Sequence, residues 1–298
     1  MMAEPMGTEG GQLRYRDAET WPAREALASM LDSQFAALCA VRAALPAIEA
    51  AVTVAASRLA GSEGRLVYAG AGASGRIAAQ DGVELYPTFG WPPDRLCCLI
   101  AGGERALLQA VEGAEDDGEA GRADAMALHP TRDDVFLCVA ASGTTRYTRA
   151  VQAAARAAGA SSIGLACNFG APLLTEAEWP VLLETGPEFL AGSTRLGAGT
   201  AQKAALNLLS TRLMTELGRV YRGRMVCVVP TNAKLVERAK RIVAEIAGAA
   251  PAEAAQAWEQ TRDIRAAVLV LDGMTADQAR ARLEDAGGDL RRARNDHA

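Results

Sequence analysis

LVYAGAGASGRIAAQDGVELYPTFG, residues 66–90, decides how the rest of this chain is read. Leu66-Val67-Tyr68-Ala69 is a short apolar run bounded by Gly64 and Gly70, the pattern of a buried strand. Gly70, Gly72 and Gly75 follow, with Ser74 and Arg76 among them, and glycines let a backbone approach a ligand closely. From Gly75 onward the spacing predicts a helix whose first free N–H groups face that ligand and favour an anion, phosphate above all. Glu84 sits further along, just before Pro87, which is expected to end the helix. An anion cradle with an acid near it has the makings of a site.

Gly70 to Gly75 also matches the dinucleotide fingerprint G-x-G-x-x-G. That reading needs an acid at the end of the next strand to hold a ribose. The next strand candidate, Arg95–Ile100, has Asp94 at its start and Glu104 beyond Gly102-Gly103, so neither acid is well placed. The nicotinamide reading therefore lacks its confirming context.

A chain of 298 residues, half of them hydrophobic, suffices for one large α/β domain and an appendage. Its net charge of −5 argues against a nucleic-acid partner. No apolar run approaches the ~20 residues of a membrane span, and the first residues lack the pattern of a signal peptide. Six cysteines (Cys39, Cys97, Cys98, Cys138, Cys167, Cys227) lie mostly in apolar runs without C-x-x-C spacing, which reads as buried free thiols in a reducing cytoplasm. With only His129 and His297, a histidine-rich metal site is excluded.

Residues 1–20 are polar and read as a poorly ordered arm or a segment that docks on a partner. Helical spacing over 22–60 predicts two or three helices with a junction near Pro46. Strands are predicted at 66–69, 95–100, 133–140, 161–166 and 180–184, with helices at 104–115 and 147–158 between them. Continuous apolar runs such as Val135–Val139 suit strands buried on both faces. The alternation gives an α/β fold, a doubly wound parallel sheet of about five strands. Long helices follow at 198–217 and 233–248, a strand or connector at 224–229, and three short helices after Pro251 (254–267, 275–286 and the end). Three parts result: an arm and helices (1–60), the sheet domain (61–248), and a small C-terminal helical appendage (249–298).

The third strand runs into Ala140-Ala141-Ser142-Gly143-Thr144-Thr145 and then a helix. Hydroxyls and free N–H groups at a helix start form a second anion nest, although Ser142 or Thr145 could equally serve as a helix cap. Two such loops at the carboxyl ends of strands in one sheet favour ligand binding along that edge. One can hold a phosphate and the other a polyhydroxylated body, which implies a sugar phosphate.

These residues carry a family resemblance. Gly70–Arg76, Asp81–Gly90 and Ala140–Thr145 resemble a sugar isomerase (SIS) domain. More closely, GAGASGR, DGVELYPTFG, IAGGERALLQAVEGAEDD, AASGTTRY, GSTRLGAGTAQKAALNLLST and TNAKL resemble the N-acetylmuramic acid 6-phosphate etherases over about 66–248, with a similar helical tail. The related glucokinase regulatory protein shares much of the pattern without being an enzyme.

The resemblance implies cleavage of a lactyl ether from a sugar 6-phosphate, giving N-acetylglucosamine 6-phosphate and D-lactate in cell-wall amino-sugar recycling. Elimination followed by hydration needs one group to take the C2 proton and one to protonate the departing oxygen, with no metal or redox cofactor. The family's two acids map onto Glu84 and Glu115, with Glu84 as acid and Glu115 as base, or the reverse. Taken alone, Glu112, Glu115, Asp116 and Asp117 would read as a solvated helix end, and Glu84 as a surface residue. The resemblance also implies phosphate binding by Ser142, Thr144 and Thr145, close approach at Gly143, and a sugar side lined by Gly72 and Ser74. Ser193-Thr194-Arg195 is a further candidate contact. A homodimer is implied as well. The chain departs from the family at Ala73 (commonly Thr), at Thr144-Thr145-Arg146 (commonly Arg-Thr-Pro) and at Gly197 (commonly Lys), which bears on substrate identity more than on reaction type. Two alternatives remain: a non-catalytic sugar-phosphate regulator, and an amino-sugar-phosphate isomerase or other lyase.

Overall fold

A computed structural model of the chain describes residues 7–295. They divide into two compact units. One holds the chain up to Gly82 and Asp94–Ser210; the other holds Val83–Pro93 and the chain from Thr211 onward.

The first elements are α1 (Ala23–Ala43), α2 (Leu45–Leu59), β1 (Leu66–Gly70), α3 (Gly72–Val83), α4 (Leu85–Phe89) and β2 (Leu96–Ile100). Next come α5 (Gly118–Ala127), β3 (Val135–Val139), α6 (Arg146–Ala157), β4 (Ser161–Ala166), α7 (Pro172–Thr175), β5 (Trp179–Leu182) and α8 (Gly197–Glu216). The chain closes with β6 (Val220–Tyr221), β7 (Arg224–Met225), α9 (Ala233–Ala247), α10 (Pro251–Thr261), α11 (Ile264–Leu271), α12 (Ala276–Asp285) and α13 (Leu290–Ala293).

The first unit is built on a parallel sheet of five strands in the order β2-β1-β3-β4-β5, so the expected doubly wound sheet is present. β1 and β3 pair from Leu66 opposite Val135 to Gly70 opposite Val139, so their carboxyl ends are level. Every residue of β1, β3 and β4 is buried, as strands covered on both faces must be. Val67, Ala69, Phe136 and Cys138 pack with Tyr147, Val151 and Ala155 of α6 on one face. On the other, α2 packs along β3, β4 and β5, and Tyr68 meets Asp81 of α3. In this strand order the connections leave β1 and β3 in opposite directions, and the crevice between them is where such sheets bind ligands.

Just before β1 and β3, an ion pair between a half-buried arginine and a buried aspartate joins the chain segments. The Arg65 guanidinium donates to both oxygens of Asp134 (3.0 and 2.8 Å), whose side chain is 1% exposed. Asp134 also accepts the backbone N–H groups of Arg65 and Thr131, each at 2.7 Å. Burial alone would raise this carboxyl. The hydrogen bonds from Arg65 and Thr131, and the Arg65 charge, outweigh it and hold Asp134 below its ordinary value.

Several expectations are corrected. The helix expected over 104–115 is two 3-10 turns, Glu104–Leu107 and Ala114–Asp116. Gly102, Gly103 and Gly113 all have positive φ, which breaks a regular helix. Pro87 does not end the helix after β1. The chain turns at Glu84, and Pro87 lies in the first turn of α4, where its missing N–H has no helical partner to lose. The thiols are free as expected, yet Cys39 and Cys98 are exposed, the latter on the edge strand β2. Of the segment expected to be poorly ordered, residues 1–6 lie outside the described residues; from Gly7 to Thr20 it forms three 3-10 turns and buries Thr8 completely. No single helix among the described residues is long and apolar enough to cross a membrane; α1 and α2 meet that test only as a pair, bent by 56°.

The second unit has its own core, in which Tyr221, Val243, Trp258, Val268, Leu269 and Leu290 are buried together. The segment expected as a strand or connector at 224–229 starts as a two-residue strand in the β6–β7 hairpin, turned by Arg222 and Gly223, both with positive φ. The expected helix over 254–267 is two helices. Arg262 adopts left-handed φ at the end of α10, and the Asp263 carboxylate then caps α11 through the N–H groups of Arg265 and Ala266.

The ion pair sets an acid limit on stability. Asp134 is lowered in the folded state, so its contribution is complete above the unfolded carboxyl value of about 4 and is lost as pH falls through the lower folded value. Asp134→Ala is expected to lower unfolding free energy at pH 7 by about 2–3 kcal/mol, since the Arg65 guanidinium and the backbone N–H groups of Arg65 and Thr131 lose their acceptor. In denaturant titrations, Asp134→Asn should lose less stability than wild type between pH 7 and pH 3. Equal losses would remove Asp134 as the sensitive group.

Candidate active site

The loop after β1 is tight. A Cβ on Gly70 would lie 2.8 Å from the Gly75 Cα, so the strand end and the first turn of α3 touch backbone to backbone. α3 begins at Gly72, earlier than expected, and Gly72 is exposed with φ +53°. Ser74 is buried, and its Oγ accepts the N–H of Ala141 at 3.3 Å. The two loops predicted from sequence are therefore joined by a hydrogen bond. A serine that accepts still has a proton to donate.

The loop after β3 turns at Gly143, φ +70°, where a Cβ would come within 2.5 Å of the Ala171 methyl. Ser142 Oγ accepts from the Thr144 N–H (3.2 Å) and hydroxyl (3.1 Å). Thr145 occupies the N-cap position of α6, but its side chain makes no capping hydrogen bond. The capping alternative thus fails for Thr145. The first N–H groups of α6 have no partner within the helix, and such groups attract anions. Arg146, out of step with the family pattern, is exposed at the first helical position. It lines a groove of about 530 Å³ with Asp116, Asp117 and Arg122.

Glu115 lies in the 3-10 turn Ala114–Asp116 and is exposed. With Gly72, Arg76 and Ala106 it lines a cavity of about 180 Å³, which brings this acid to the start of the first glycine loop. Arg76 organises the segment leading to it, donating from Nε to the Ala106 carbonyl (2.8 Å) and from Nη2 to the Gln109 carbonyl (3.2 Å). After the acid turn, the Asp117 carboxylate caps α5 through the Ala120 N–H. α5 then runs against α6 so closely that a Cβ on Gly121 would strike the Tyr147 carbonyl. The Tyr147 hydroxyl also donates to Asp124 of α5 (2.6 Å).

Glu84, the other candidate acid, belongs to the second unit. It is the exposed residue at the start of α4, and its carbonyl accepts the Thr88 N–H at 3.2 Å. Three residues earlier, Asp81 of the first unit is buried and held from two sides, by the Tyr68 hydroxyl (2.8 Å) and Asn207 Nδ2 (2.6 Å). Lys203 Nζ donates to Asn207 Oδ1 at 2.9 Å. Burial, then the Asp81 charge and hydrogen bond, push the Tyr68 hydroxyl well above its ordinary value, so it stays a donor.

Ser193 is half-buried in the loop before α8. That loop is held by Glu188, a buried carboxylate that accepts the N–H groups of Gly197 (2.8 Å) and Ala198 (2.9 Å) at the α8 N-terminus. Burial raises the Glu188 carboxyl, and those two N–H groups offset part of the effect. Sequence reasoning missed Glu188, Asp81 and the tie made by Arg76. Only Arg76 left a signal, as an arginine immediately after the last glycine of the loop.

Residues 47–157 match the family model of the glucokinase regulatory protein N-terminal SIS domain. The chain is 50% identical to an N-acetylmuramic acid 6-phosphate etherase from Deinococcus radiodurans, covering 97% of this chain and 95% of that one. It is 43% identical to one from Geobacillus thermodenitrificans, covering 98% and 99%. A phosphoheptose isomerase from Francisella tularensis shares the fold with a TM-score of 0.52 at 20% identity, covering 65% of this chain and all of that one. Near-complete coverage at these identities, on an SIS sheet, means that the chain belongs to the N-acetylmuramic acid 6-phosphate etherase family.

Proposed function

We propose that this chain is an N-acetylmuramic acid 6-phosphate etherase, a carbon–oxygen lyase of cell-wall amino-sugar recycling in the cytoplasm. The observation that carries this reading is the cavity joining Glu115 to the first anion loop, beside a second loop tied to it through Ser74. Substrate binding is assigned to residues 61–248, with 1–60 and 249–298 flanking it.

In this reading the α6 N-terminus, Ser142, Thr144 and Thr145 take the 6-phosphate, and Gly72, Ser74 and Ser193 line the sugar. One carboxylate removes the C2 proton of the open-chain aldehyde, and the electron pair forms the C2=C3 bond. The C3–O bond breaks, and the second carboxylate gives its proton to the departing lactate oxygen. Water then adds across C2=C3, hydroxyl to C3 and proton to C2, giving N-acetylglucosamine 6-phosphate and D-lactate. Glu115 is assigned as base and Glu84 as acid. The match to the glucokinase regulatory protein domain favours a second reading, a sugar-phosphate binder without turnover.

Glu84→Gln and Glu115→Gln are each expected to lower kcat for D-lactate release by about 10²–10⁴-fold. In D2O, the base variant should lose deuterium incorporation at C2 of bound substrate while the acid variant keeps it; the reverse pattern exchanges the roles. Wild-type protein that binds the sugar phosphate but releases no lactate selects the regulator instead.

Ser142→Ala should raise KM about tenfold with little change in kcat. Arg76→Lys keeps the charge but loses the planar fork across two carbonyls, and should cost about 10²-fold in kcat through misplacement of the Glu115 segment. An unchanged kcat would detach Arg76 from catalysis.

A homodimer is part of the proposal, supported by the exposed apolar stripe Leu27, Leu31, Phe35 and Leu38 on α1. Leu31→Asp combined with Phe35→Asp should yield a monomer in sedimentation velocity. A monomeric wild type would sink the dimer.

A further inference from the structure

The β3–β4 ladder continues past the strand ends. The Cys167 N–H donates to the Ala141 carbonyl at 2.9 Å. The next rung is made by a side chain: Asn168 Nδ2 donates to the Ser142 carbonyl at 3.3 Å. The same Nδ2 donates to Thr8 Oγ1 (3.0 Å), and Asn168 Oδ1 accepts the Thr8 N–H (2.9 Å). The Thr8 carbonyl in turn accepts the N–H of Gly192 at 3.1 Å, beside Ser193. Thr8 is wholly inaccessible to solvent. Gly7 completes the fit, since a Cβ there would strike Asn168 Oδ1. A polar turn 160 residues away in sequence is thereby seated between two loops of the candidate site.

We propose that Asn168 and Thr8 are positioning residues for the phosphate-binding segment Ser142–Thr145. Asn168, oriented by two hydrogen bonds to Thr8, fixes the Ser142 carbonyl and with it the direction of the hydroxyls and N–H groups that follow. Through its own carbonyl, Thr8 carries the Gly192–Ser193 loop in the same frame. Neither residue touches the substrate. Their effect falls on binding of the phosphate and not on proton transfer at C2. The proposal rests on the reading of 142–145 as the phosphate cradle, and its test separates the two.

The full-length chain is assayed as wild type, Asn168→Ala, Asn168→Asp, Thr8→Val, Thr8→Ser and Ser142→Ala. Binding of inorganic phosphate is measured by calorimetry, KM and kcat by lactate release, and thermal midpoints in parallel. Asn168→Asp keeps the shape and the acceptor for the Thr8 N–H but sets an acceptor against the Ser142 carbonyl. Thr8→Val keeps the volume and loses the hydroxyl. Both are expected to weaken phosphate binding and raise KM about tenfold, with kcat within about threefold. Thr8→Ser should restore wild-type values. Should Asn168→Ala fail to fold, the two isosteric variants still decide the matter. If Ser142→Ala weakens phosphate binding while Asn168→Asp and Thr8→Val do not, the positioning role is overturned and the cradle stands. If Ser142→Ala binds phosphate as wild type does, the cradle reading falls and takes this proposal with it. A loss confined to the thermal midpoint, with affinity of the folded protein unchanged, also overturns it.

Discussion

The pairing of β1 with β3 is the constraint on which the first unit depends. The chain segments just before these strands are locked by the half-buried Arg65–Asp134 pair, and the segments just after them by the Ser74–Ala141 hydrogen bond. Between these ties the five residue pairs run in strict parallel register. A slip of one residue would turn every side chain to the wrong face and would pull the two loops out of level. The crevice at the switch point is therefore a consequence of strand registration, and the ties at both ends make that registration costly to lose.

The chain uses its carboxylates in two ways. Asp81, Asp134 and Glu188 are buried and spent on structure, each satisfied by backbone N–H groups, a hydroxyl, an amide or a guanidinium. Asp81 and Asp134 tie segments distant in sequence, a helix to a strand and α8 or β1 to β3, and Glu188 ties its own loop to the start of α8. A buried charge left without such donors would cost several kcal/mol, so these acids are committed to their partners. Glu84 and Glu115, the pair proposed for proton transfer, are exposed. An acid that must pick up and release protons cannot be fully engaged in holding the fold.

Much of this was legible in the sequence because the governing signals are local. Buried parallel strands announce themselves as continuous apolar runs, and the glycines after β1 and β3 mark where backbone must turn or touch. The segment 104–115 misled because its apolar spacing is helical while its glycines, outside the apolar pattern, decide the backbone. Residues 7–10 misled for a different reason. Their composition is polar, but polarity does not imply exposure when every donor and acceptor finds a partner, and the partners of Thr8 lie at Asn168 and Gly192. Glu188 and Asp81 act through tertiary contacts that leave no periodic trace. In the C-terminal unit, the division of one expected helix into α10 and α11 turns on the left-handed φ of Arg262, which its residue type does not announce.

The contact between Gly121 and Tyr147 has a consequence for motion. α5 begins directly after the turn bearing Glu115, and α6 directly after Ser142–Thr145. With their backbones in contact and the Tyr147–Asp124 hydrogen bond across them, the two helices form one packed pair whose N-terminal ends lie side by side. Moving Ala114–Asp116 relative to Ser142–Thr145 would require α5 to slide against α6 at this contact. Groups held in place before a substrate arrives need no reorganisation at the moment of reaction. The change that would most directly break this contact is a single methyl group added at Gly121, which would strike the Tyr147 carbonyl.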